Sequence, residues 1–450
     1  MVLPGTLSQP GARGQVFRYE SFTTDPERGL LTCHYSLDGH HFTERITLES
    51  GPRWPTEEAQ AAARLVFLLA GVSYYKTAAP PVIDLGPTAL TDQELAFLRE
   101  FYLHGLGEFA YRNHLDLTPL RIEARRADAT PGRQPEPAAD ARQRALVPFG
   151  GGIDSIVVVE WVRRLADAAL FVVSRPADRF DAIEAPAAVT GLPIVRAERE
   201  IDPQLLRSAE LGFLNGHVPV TGILSAIAVL AAALEDRNAV VMSNEWSASI
   251  PTLEDHGRPV NHQFSKSETF EVGFRDVLKQ AAPGMPDYFS WLRDRTELWV
   301  GQQFAALPQY HGSFRSCNKA FYTDRARRYD HWCGQCDKCC FIDLILAPFV
   351  SAEGLKRIFA PSPEPLADHG LAAKFRALLG AGAKPFECVG EINECRAAVL
   401  LAAPRADRAD TSLLQELARE VASWPDAPDA ADAAAMLRPV GQNFIPPGYR

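Results

Sequence analysis

The sequence predicts an α/β protein with a parallel sheet at its centre, an N-terminal α+β domain before it and a helical C-terminal region after it. Three observations support this prediction. An apolar run at 145–149 is followed by three glycines and a helical apolar segment. From Ala145 onward, strand-like and helix-like segments alternate, which is typical of parallel sheets covered by helices on both faces. Four cysteines between 317 and 339 have the spacing of metal ligands.

The composition indicates several domains with substantial cores. The chain has 450 residues, and at ~150 residues per domain this length suggests two or three domains. Hydrophobic residues make up 46%, and the net charge is −10, from 56 acidic and 46 basic residues. This acidic balance disfavours a nucleic-acid-binding surface. The sequence starts without an apolar signal segment and has no run of ~18 apolar residues, so we expect a cytoplasmic protein without membrane insertion.

The predicted domain boundaries follow changes in pattern. A stretch rich in Arg, Ala, Pro, Asp and Gln starts at 123, and we interpret it as a linker. From Ser351 the chain becomes helical and rich in alanine. The predicted division is an N-terminal α+β domain at 1–122, a linker at 123–143, a nucleotide-type domain with the four cysteines at 144–350, and a helical region at 351–450.

In the N-terminal domain, three segments between 15 and 50 have the alternation of β-strands. Asp38-Gly39, between the last two segments, is a hairpin signal. The period then becomes helical, with Thr56 as the predicted N-cap and an end near Gly71. A second helix is predicted over 91–113.

In the central domain, strands are predicted at 145–149, 169–174, 193–196 and 239–243, and helices at 155–166, 180–190 and 220–235. Ligands of such sheets lie beyond the carboxyl ends of the strands. Ser174, Arg175 and Asn244, with Ser243 and Glu245 beside it, are therefore candidate nucleotide ligands. Each of them could equally be an ordinary polar residue at a strand end.

The turn after the first central strand has the features of a phosphate-binding loop. It consists of Gly150, Gly151, Gly152, Ile153, Asp154 and Ser155. Glycines let the backbone approach a phosphate closely and adopt positive φ, and the first turn of the helix offers free N–H groups at its positive end. The loop lacks the lysine of a Walker A motif and the third glycine of the dinucleotide fingerprint.

This loop resembles the SGGxDS motif of the PP-loop ATP pyrophosphatase superfamily, with Gly150 in place of the usual serine. The resemblance implies that ATP is split between its α and β phosphates, usually to adenylate a carboxylate or carbonyl oxygen. Gly150, Gly151, Gly152, Asp154 and Ser155 would then bind ATP, and Asp154 would support Mg²⁺ or order the loop. The alternative is a glycine-rich turn with no ligand.

The four cysteines predict a structural zinc site. Cys317, Cys333, Cys336 and Cys339 contain two overlapping C-x-x-C turns, which a tetrahedral Zn²⁺ can accept. Four thiolates leave no open position, so the predicted role is structural. An Fe–S cluster and a redox dithiol are the alternatives. We interpret Cys340, a fifth thiol beside the group, as a small buried hydrophobe.

Eight segments are distributed over nearly the whole chain: LLAGVSYYKTAAP, FYLHGLGEFAYRN, FGGGIDS, NGHVPVTG, SNEWSAS, VNHQFSKS, CGQCDKC and KPFECVGEINECR. With these segments the chain resembles the MurL family, the UDP-N-acetylmuramoyl-L-alanyl-L-glutamate epimerases of bacterial peptidoglycan synthesis. The resemblance implies ATP-dependent inversion of the terminal L-glutamate to D-glutamate, with release of AMP and diphosphate. The substrate would come from a Mur ligase that adds L-glutamate in place of D-glutamate.

Such a reaction needs an acid/base pair that reaches both faces of Cα. The first candidate is Cys388, acting with Glu387, Glu391 or Cys395, because thiols suit proton transfer at Cα. This segment could instead be a helix-capping turn with a buried cysteine. His217 is the second candidate. Lys266, His262 and Lys76 are candidate substrate ligands, and His262 and Lys266 could also be ordinary surface residues.

Two other functions stay open. One is an adenylating amidotransferase or thiotransferase of the 7-cyano-7-deazaguanine synthase type, although those proteins are about half this length. A glutamine-dependent asparagine-synthetase type would need a cysteine after Met1, where Val2 stands, and a tRNA thiolase would be expected to be basic. The other is a zinc-stabilised nucleotide-binding module without catalysis, which Gly150 keeps open.

Overall fold

The computed structural model describes residues 13–128 and 143–450. Within these ranges the strands are β1 Val16–Asp25, β2 Leu30–Leu37, β3 His40–Thr47, β4 Val82–Leu90, β5 Arg121–Arg126, β6 Arg144–Pro148, β7 Asp167–Ser174, β8 Ile194–Glu200, β9 Ala239–Met242, β10 Leu253–Asp255, β11 Arg258–Val260 and β12 Asp287–Ser290.

The α-helices of the same ranges are α1 Glu57–Ala70, α2 Val72–Tyr75, α3 Asp92–Gly105, α4 Gly107–Arg112, α5 Ile153–Val162, α6 Asp181–Thr190, α7 Val220–Leu234, α8 Glu268–Ala281, α9 Glu297–Ala305, α10 Asp337–Leu346, α11 Ala352–Phe359, α12 Ala372–Leu378, α13 Ile392–Ala402, α14 Ser412–Ala422 and α15 Ala430–Ala435. None of these helices has the length and apolar character needed to cross a membrane.

Ten of the strands form one mixed sheet in the order β12-β9-β6-β7-β8-β3-β2-β1-β4-β5. The neighbours from β12 to β8 are parallel, as are β1, β4 and β5. The pairs β8–β3, β3–β2 and β2–β1 are antiparallel. The predicted α/β class with a mostly parallel sheet is therefore confirmed.

Apolar side chains cover both faces of this sheet. Along β6, Ala145 and Val147 belong to one apolar layer and Leu146 belongs to the other. This alternation follows from the period of two in a strand, which sends successive side chains to opposite faces. Helices α5, α9, α10 and α13 pack in the first layer, and α1 and α7 pack in the second.

The local signals of the N-terminal part are confirmed. Thr56 caps α1, and its side chain accepts a hydrogen bond from the Ala59 N–H. Asp38 and Gly39 connect β2 and β3 with positive φ angles of 48° and 89°. The helix predicted over 91–113 is instead two helices, because the chain turns between Gly105 and Gly107 at Leu106, whose ψ is 14°.

The segment predicted as a linker begins inside the sheet. Residues 123–126 belong to β5, where Ile122 and Ala124 pack against the second apolar layer. This part of the linker prediction is wrong, because two apolar side chains at alternate positions stabilise an edge strand. Residues 129–142 of the predicted linker lie outside the described residues, and the predicted domain boundaries remain predictions.

Candidate active site

The glycine loop has the conformation that its sequence predicts. Gly151 has φ +76°, and a Cβ at this position would lie 2.2 Å from the carbonyl oxygen of Ala182. Gly152 is the N-cap of α5 and has no side chain to bond the free N–H groups of the first turn. A Cβ on Gly150 would meet no atom within 4 Å. The turn therefore presents backbone N–H groups at the positive end of α5.

Asp154 lies beside two further carboxylates. One oxygen each from Asp154, Glu245 and Glu297 lie within 4.8 Å of one another. Glu245 and Glu297 are 3% and 2% exposed. Asp154 Oδ1 and Glu297 Oε2 are buried and have no hydrogen-bond partner. Burial, and next the charge of Glu245, raise the pKa of Asp154 to about 6. Buried carboxylates with orphaned oxygens fit a divalent cation.

Ser174 and Arg175, predicted as nucleotide ligands at a strand end, are both bonded within the protein. Ser174 ends β7, and its Oγ accepts a hydrogen bond from Arg179 at 3.1 Å. Arg175 pairs with Asp178, at 2.7 Å between Nη2 and Oδ2. Ser174 and Arg175 line a cavity of about 510 Å³ that Phe180 also lines.

Two other predicted nucleotide ligands, Ser155 and Asn244, make hydrogen bonds that fix the backbone beside the site. The Ser155 hydroxyl donates to the Gly152 carbonyl oxygen at 3.1 Å, so it tightens the glycine turn. Asn244 follows β9 and is buried, and its backbone N–H donates to Ser290 Oγ at 2.8 Å. This bond fixes the chain just before Glu245.

Cys388 lies in the loop before α13, beside two lysines. Lys266 Nζ is 3.5 Å from Cys388 Sγ, and Lys338 Nζ donates to the Cys388 carbonyl oxygen. Burial alone would raise the pKa of the thiol, but Lys266, then His262 and Lys338, lower it to about 6. Since a thiolate is the reactive form, Cys388 has the environment of a reactive cysteine.

His262 connects Cys388 to an acidic residue that the sequence analysis missed. The His262 imidazole interacts with the thiol, and its Nδ1 lies 2.5 Å from Glu108 Oε2. These contacts outweigh burial and raise the pKa of His262 to about 9. Glu108 is only 5% exposed and also accepts a hydrogen bond from Arg112 at 2.6 Å. The arrangement is a thiol, an imidazole and a carboxylate in series.

His217 lies against His262, and Lys76 is close to His217. The rings of His217 and His262 have centroids 4.3 Å apart. Burial, and next the charge of His262, lower the pKa of His217 to about 4, so it is neutral at physiological pH. Lys76 donates to Asn215 Oδ1 at 2.5 Å, and burial lowers its pKa to about 8. His217 therefore links Lys76 to His262, because the charge of Lys76 also contributes to lowering the pKa of His217.

The candidate partners of Cys388 have separate places. Glu387 Oε1 accepts a hydrogen bond from Asn318 Nδ2 at 2.9 Å. Glu391 caps α13 by accepting from the Asn393 N–H at 2.7 Å. Cys395 is fully buried within α13, and burial raises the pKa of its thiol. Glu391 and Cys395 therefore have structural surroundings, whereas Glu387 and Cys388 are held at the loop.

The four predicted metal ligands come together. One sulfur each from Cys317, Cys333, Cys336 and Cys339 lie within 4.8 Å of one another. Cys333 Sγ and Cys336 Sγ are 3.7 Å and 3.4 Å from Cys339 Sγ. Zn–S bonds of about 2.3 Å in a tetrahedron require S···S distances of roughly 3.8 Å, so the four sulfurs fit zinc. Cys340 is buried outside this group, and burial raises its pKa to about 12.

Two residues beside these sulfurs hold the loop of Cys388. Asn318, next to Cys317, bonds Glu387, and Lys338, between Cys336 and Cys339, bonds the carbonyl oxygen of Cys388. These two hydrogen bonds therefore attach the loop of Cys388 to the segments that carry the cysteine group.

The sequence pattern did not identify Glu108 or Glu297 as site residues. Both are charged residues on helices, a position that is usually solvated. The available signals were the Gly-Leu-Gly break before Glu108 and the position of Glu297 after the N-cap Thr296. Neither signal tells which distant residue each carboxylate meets.

Comparisons with known proteins match this chain over most of its length. The family model described as the MurL N-terminal domain matches residues 9–291, and the one described as the MurL C-terminal domain matches residues 313–432. No solved structure shows a significant match.

Three curated relatives carry the name UDP-N-acetyl-alpha-D-muramoyl-L-alanyl-L-glutamate epimerase. The protein of Xanthomonas oryzae pv. oryzae is 36% identical over 438 residues, covering 96% of this chain and 95% of its own. The protein of Salinispora tropica is 38% identical over 450 residues (97% and 95%), and that of a Micromonospora species is 38% identical over 453 residues (97% of each). With both family domains and nearly full-length similarity, this chain belongs to the MurL family.

Proposed function

We propose that this protein is an epimerase that converts the terminal L-glutamate of UDP-N-acetylmuramoyl-L-alanyl-L-glutamate to D-glutamate, with ATP as co-substrate and AMP and diphosphate as products. The names of three relatives that align over nearly the whole chain support the epimerisation. The observation that carries the ATP-dependent chemistry is the position of Lys266. Its ammonium lies 3.5 Å from Cys388 Sγ, and the charges of Cys388, Glu245 and Asp154 outweigh burial and raise its pKa, which supports a thiol close to the glycine loop.

Adenylation explains why an epimerase would use ATP. The α-proton of a carboxylate is hard to remove, because the carbanion would form beside a negative charge. Adenylation removes that charge and makes the carbonyl an electron sink, which donors near the oxygen stabilise further. The N–H groups after Gly151 and Gly152 suit the phosphates that this step displaces.

Asp154, Glu245 and Glu297 would hold Mg²⁺. When bound, the ion supplies positive charge to the phosphates during their transfer. Hard oxygen donors are the ligands that Mg²⁺ prefers, and one oxygen each of Asp154 and Glu297 lacks another partner. Ser155, Ser174, Arg175 and Asn244 would complete the ATP site at the carboxyl edge of the sheet, with the adenosine toward the cavity that Ser174 and Arg175 line.

The substrate would lie between the loop of Cys388 and the α4 region. It carries carboxylates and a diphosphate, and Lys76, His262 and Lys266 offer positive charge or hydrogen bonds there. Cys388, Glu387 and His217 are the proposed catalytic group at Cα, together with Asp154 at the phosphates. We propose that the reaction takes place in the cytoplasm, on the product of a Mur ligase that adds L-glutamate.

The four cysteines would bind one structural Zn²⁺. All four ligands come from the protein, so no position is open for catalysis. The zinc would fix the residues that hold the loop of Cys388.

The test combines three measurements on one reaction in D₂O. The full-length protein is incubated with the muropeptide substrate, Mg²⁺ and ATP, and AMP, D-glutamate and deuterium at Cα are measured together. We expect all three to appear, and none without ATP. Deuterium in the ATP-free control would show a cofactor-independent epimerase and overturn the adenylation. AMP with transfer of an amino group or sulfur, and no D-glutamate, would favour the amidotransferase or thiotransferase function.

A further inference from the structure

Cys388, His262 and Glu108 form a chain of contacts whose geometry limits what the thiol can do. The thiol interacts with the His262 imidazole, whose Nδ1 lies 2.5 Å from Glu108 Oε2. Lys266 Nζ lies 3.5 Å from the sulfur on another side. The chain joins residues from three separate elements, α4, the loop after β11 and the loop before α13.

Such a contact does not fit an acid/base pair that flanks Cα. Epimerisation by two bases needs them on opposite faces, each about 3–3.5 Å from the reacting atom and therefore roughly 6–7 Å apart. A thiol and an imidazole that contact each other have no room for a tetrahedral carbon between them. Their arrangement is instead that of a nucleophile with a base in hydrogen-bond reach and a third group that orients the base.

We infer that Cys388 is a nucleophile that takes the glutamyl group from the adenylate and forms a thioester before the α-proton is exchanged. This inference rests on the proposed function, because the adenylate is its substrate. His262 is the partner of the thiolate, and Glu108 is a positioning residue that acts through His262.

The step balances without another reactant. A lone pair of the Cys388 thiolate forms the S–C bond to the glutamyl carbonyl carbon. The bond from that carbon to the phosphate oxygen breaks, and AMP leaves with its electron pair. After inversion at Cα, water adds to the carbonyl carbon, the S–C bond breaks and the thiolate is restored. The water supplies the oxygen of the new carboxylate and releases a proton.

Acylation would also change the state of His262. Cys388 helps to raise the pKa of the imidazole, together with Glu108. A thioester carries no charge, so the pKa of His262 falls when it forms. The imidazole then loses its proton more readily and can act as a base next to the acyl group. A thioester carbonyl withdraws electrons from Cα better than a carboxylate does, so the proton stays acidic after AMP has left.

Two variants, compared with wild type, separate the role of Cys388 as nucleophile from the role of Glu108 as positioning residue. Each form of the protein (wild type, Cys388→Ala and Glu108→Gln) is mixed with excess substrate, ATP and Mg²⁺ and quenched with acid. Mass spectrometry then measures the mass of the peptide that contains position 388. We expect wild type to carry the substrate minus water on Cys388. Cys388→Ala should still release diphosphate in a first turnover, because the adenylate can form, but it should lose AMP release, epimerisation and ATP-dependent deuterium exchange by about 10³-fold or more. Glu108→Gln should shift the pH profile of adduct formation, which a purely structural role would not do.

Cys395→Ala is the matched control, since Cys395 is close in sequence but fully buried within α13. It should keep the adduct and the exchange, and melting curves of all variants show which of them fold. Wild type that epimerises with ATP but carries no adduct, or Cys388→Ala that retains more than about a tenth of the exchange, would overturn the thioester and leave the proposed epimerase intact. Absence of both AMP and exchange in wild type would overturn the proposed function itself.

Discussion

Lys266 Nζ lies 3.5 Å from Cys388 Sγ, although the two residues are 122 positions apart. The charges of Cys388, then of Glu245 and Asp154 at the glycine loop, outweigh burial and raise the pKa of this ammonium. One half-buried cation therefore acts on both a thiolate and the carboxylates beside the glycine loop. Any change to it should affect both parts of the site.

The first prediction concerns the ionisation of Cys388. In wild type, the rate of alkylation of Cys388 by iodoacetamide should rise with pH around a midpoint near 6, because only the thiolate reacts. Lys266→Met removes the main charge that stabilises the thiolate, so the midpoint should move up toward the ordinary thiol value of 9.0. Peptide mass spectrometry after timed quenching measures the rate.

Lys279→Met is the control for this shift, because Lys279 is half-exposed on α8 and pairs with Asp276. It should leave the midpoint unchanged. An unchanged midpoint in Lys266→Met would show that Lys266 does not stabilise the thiolate.

A second prediction concerns Asp154 and Mg²⁺. Burial and Glu245 raise the pKa of Asp154 to about 6 in the folded protein. A carboxyl with a raised pKa stabilises the fold at low pH and loses that contribution as pH rises through about 6. Without divalent ions, the melting temperature of wild type should therefore fall between pH 4 and 7 more than that of Asp154→Asn. Mg²⁺ should raise the melting temperature of wild type again at pH 7, and it should raise that of Asp154→Asn less.

Asp154→Ala should abolish AMP formation while the protein stays folded. The side chain makes no hydrogen bond through Oδ1, so its removal leaves no donor unpaired there. AMP is measured by chromatography and folding by circular dichroism. Near-normal turnover in Asp154→Ala would mean that the glycine loop is not the ATP site.

The two glycines of the loop should respond differently to a side chain. Gly150→Ser should be tolerated, since a Cβ there meets no atom within 4 Å. Gly151→Ala should lose AMP formation and about 1–3 kcal/mol of stability, because a residue with φ +76° is strained and its Cβ would clash with the Ala182 carbonyl oxygen. Parallel assays and melting curves test the pair. Equal effects of the two substitutions would contradict this geometry.

The fifth prediction is one zinc per chain. Elemental analysis should find it in wild type, and Cys336→Ser should give insoluble protein or lose about 4 kcal/mol of stability. Cys340→Ala should keep the zinc, since Cys340 is adjacent but outside the group. Removing the zinc should also lower activity, because Asn318 and Lys338 hold Glu387 and Cys388. Fully active wild type without metal would contradict this prediction.

The features that the sequence predicts well depend on neighbours in the chain. The N-cap at Thr56, the turn at Asp38-Gly39 and the strand–glycine–helix unit at 145–163 need only local patterns, and all three are present. The sequence predicts the cysteine group for the same reason, because three of its members lie within seven residues.

The features that it missed depend on distant contacts. Glu108 contacts His262, which is 154 positions away in the chain, and no sequence periodicity predicts that contact. The sequence around His262 is equally typical of a surface histidine, and only its contacts with Glu108 and Cys388 in the fold distinguish it. Strand β12, at Asp287–Ser290, has only four residues and exists because it pairs with β9. Tertiary pairing decides such short segments, whatever their own propensity.

The join between β3 and β8 has a consequence for how the molecule holds together. Three residue pairs, from Arg45–Glu200 to Thr47–Glu198, make the sheet continuous, and a buried ion pair of Glu44 and Arg199 at 2.7 Å lies beside them. Breaking this join would leave an unpaired charge in the interior and would expose two strand edges to other chains. The polypeptide should therefore melt cooperatively in one transition, and a fragment that starts at 143 should aggregate through the bare edge of β8.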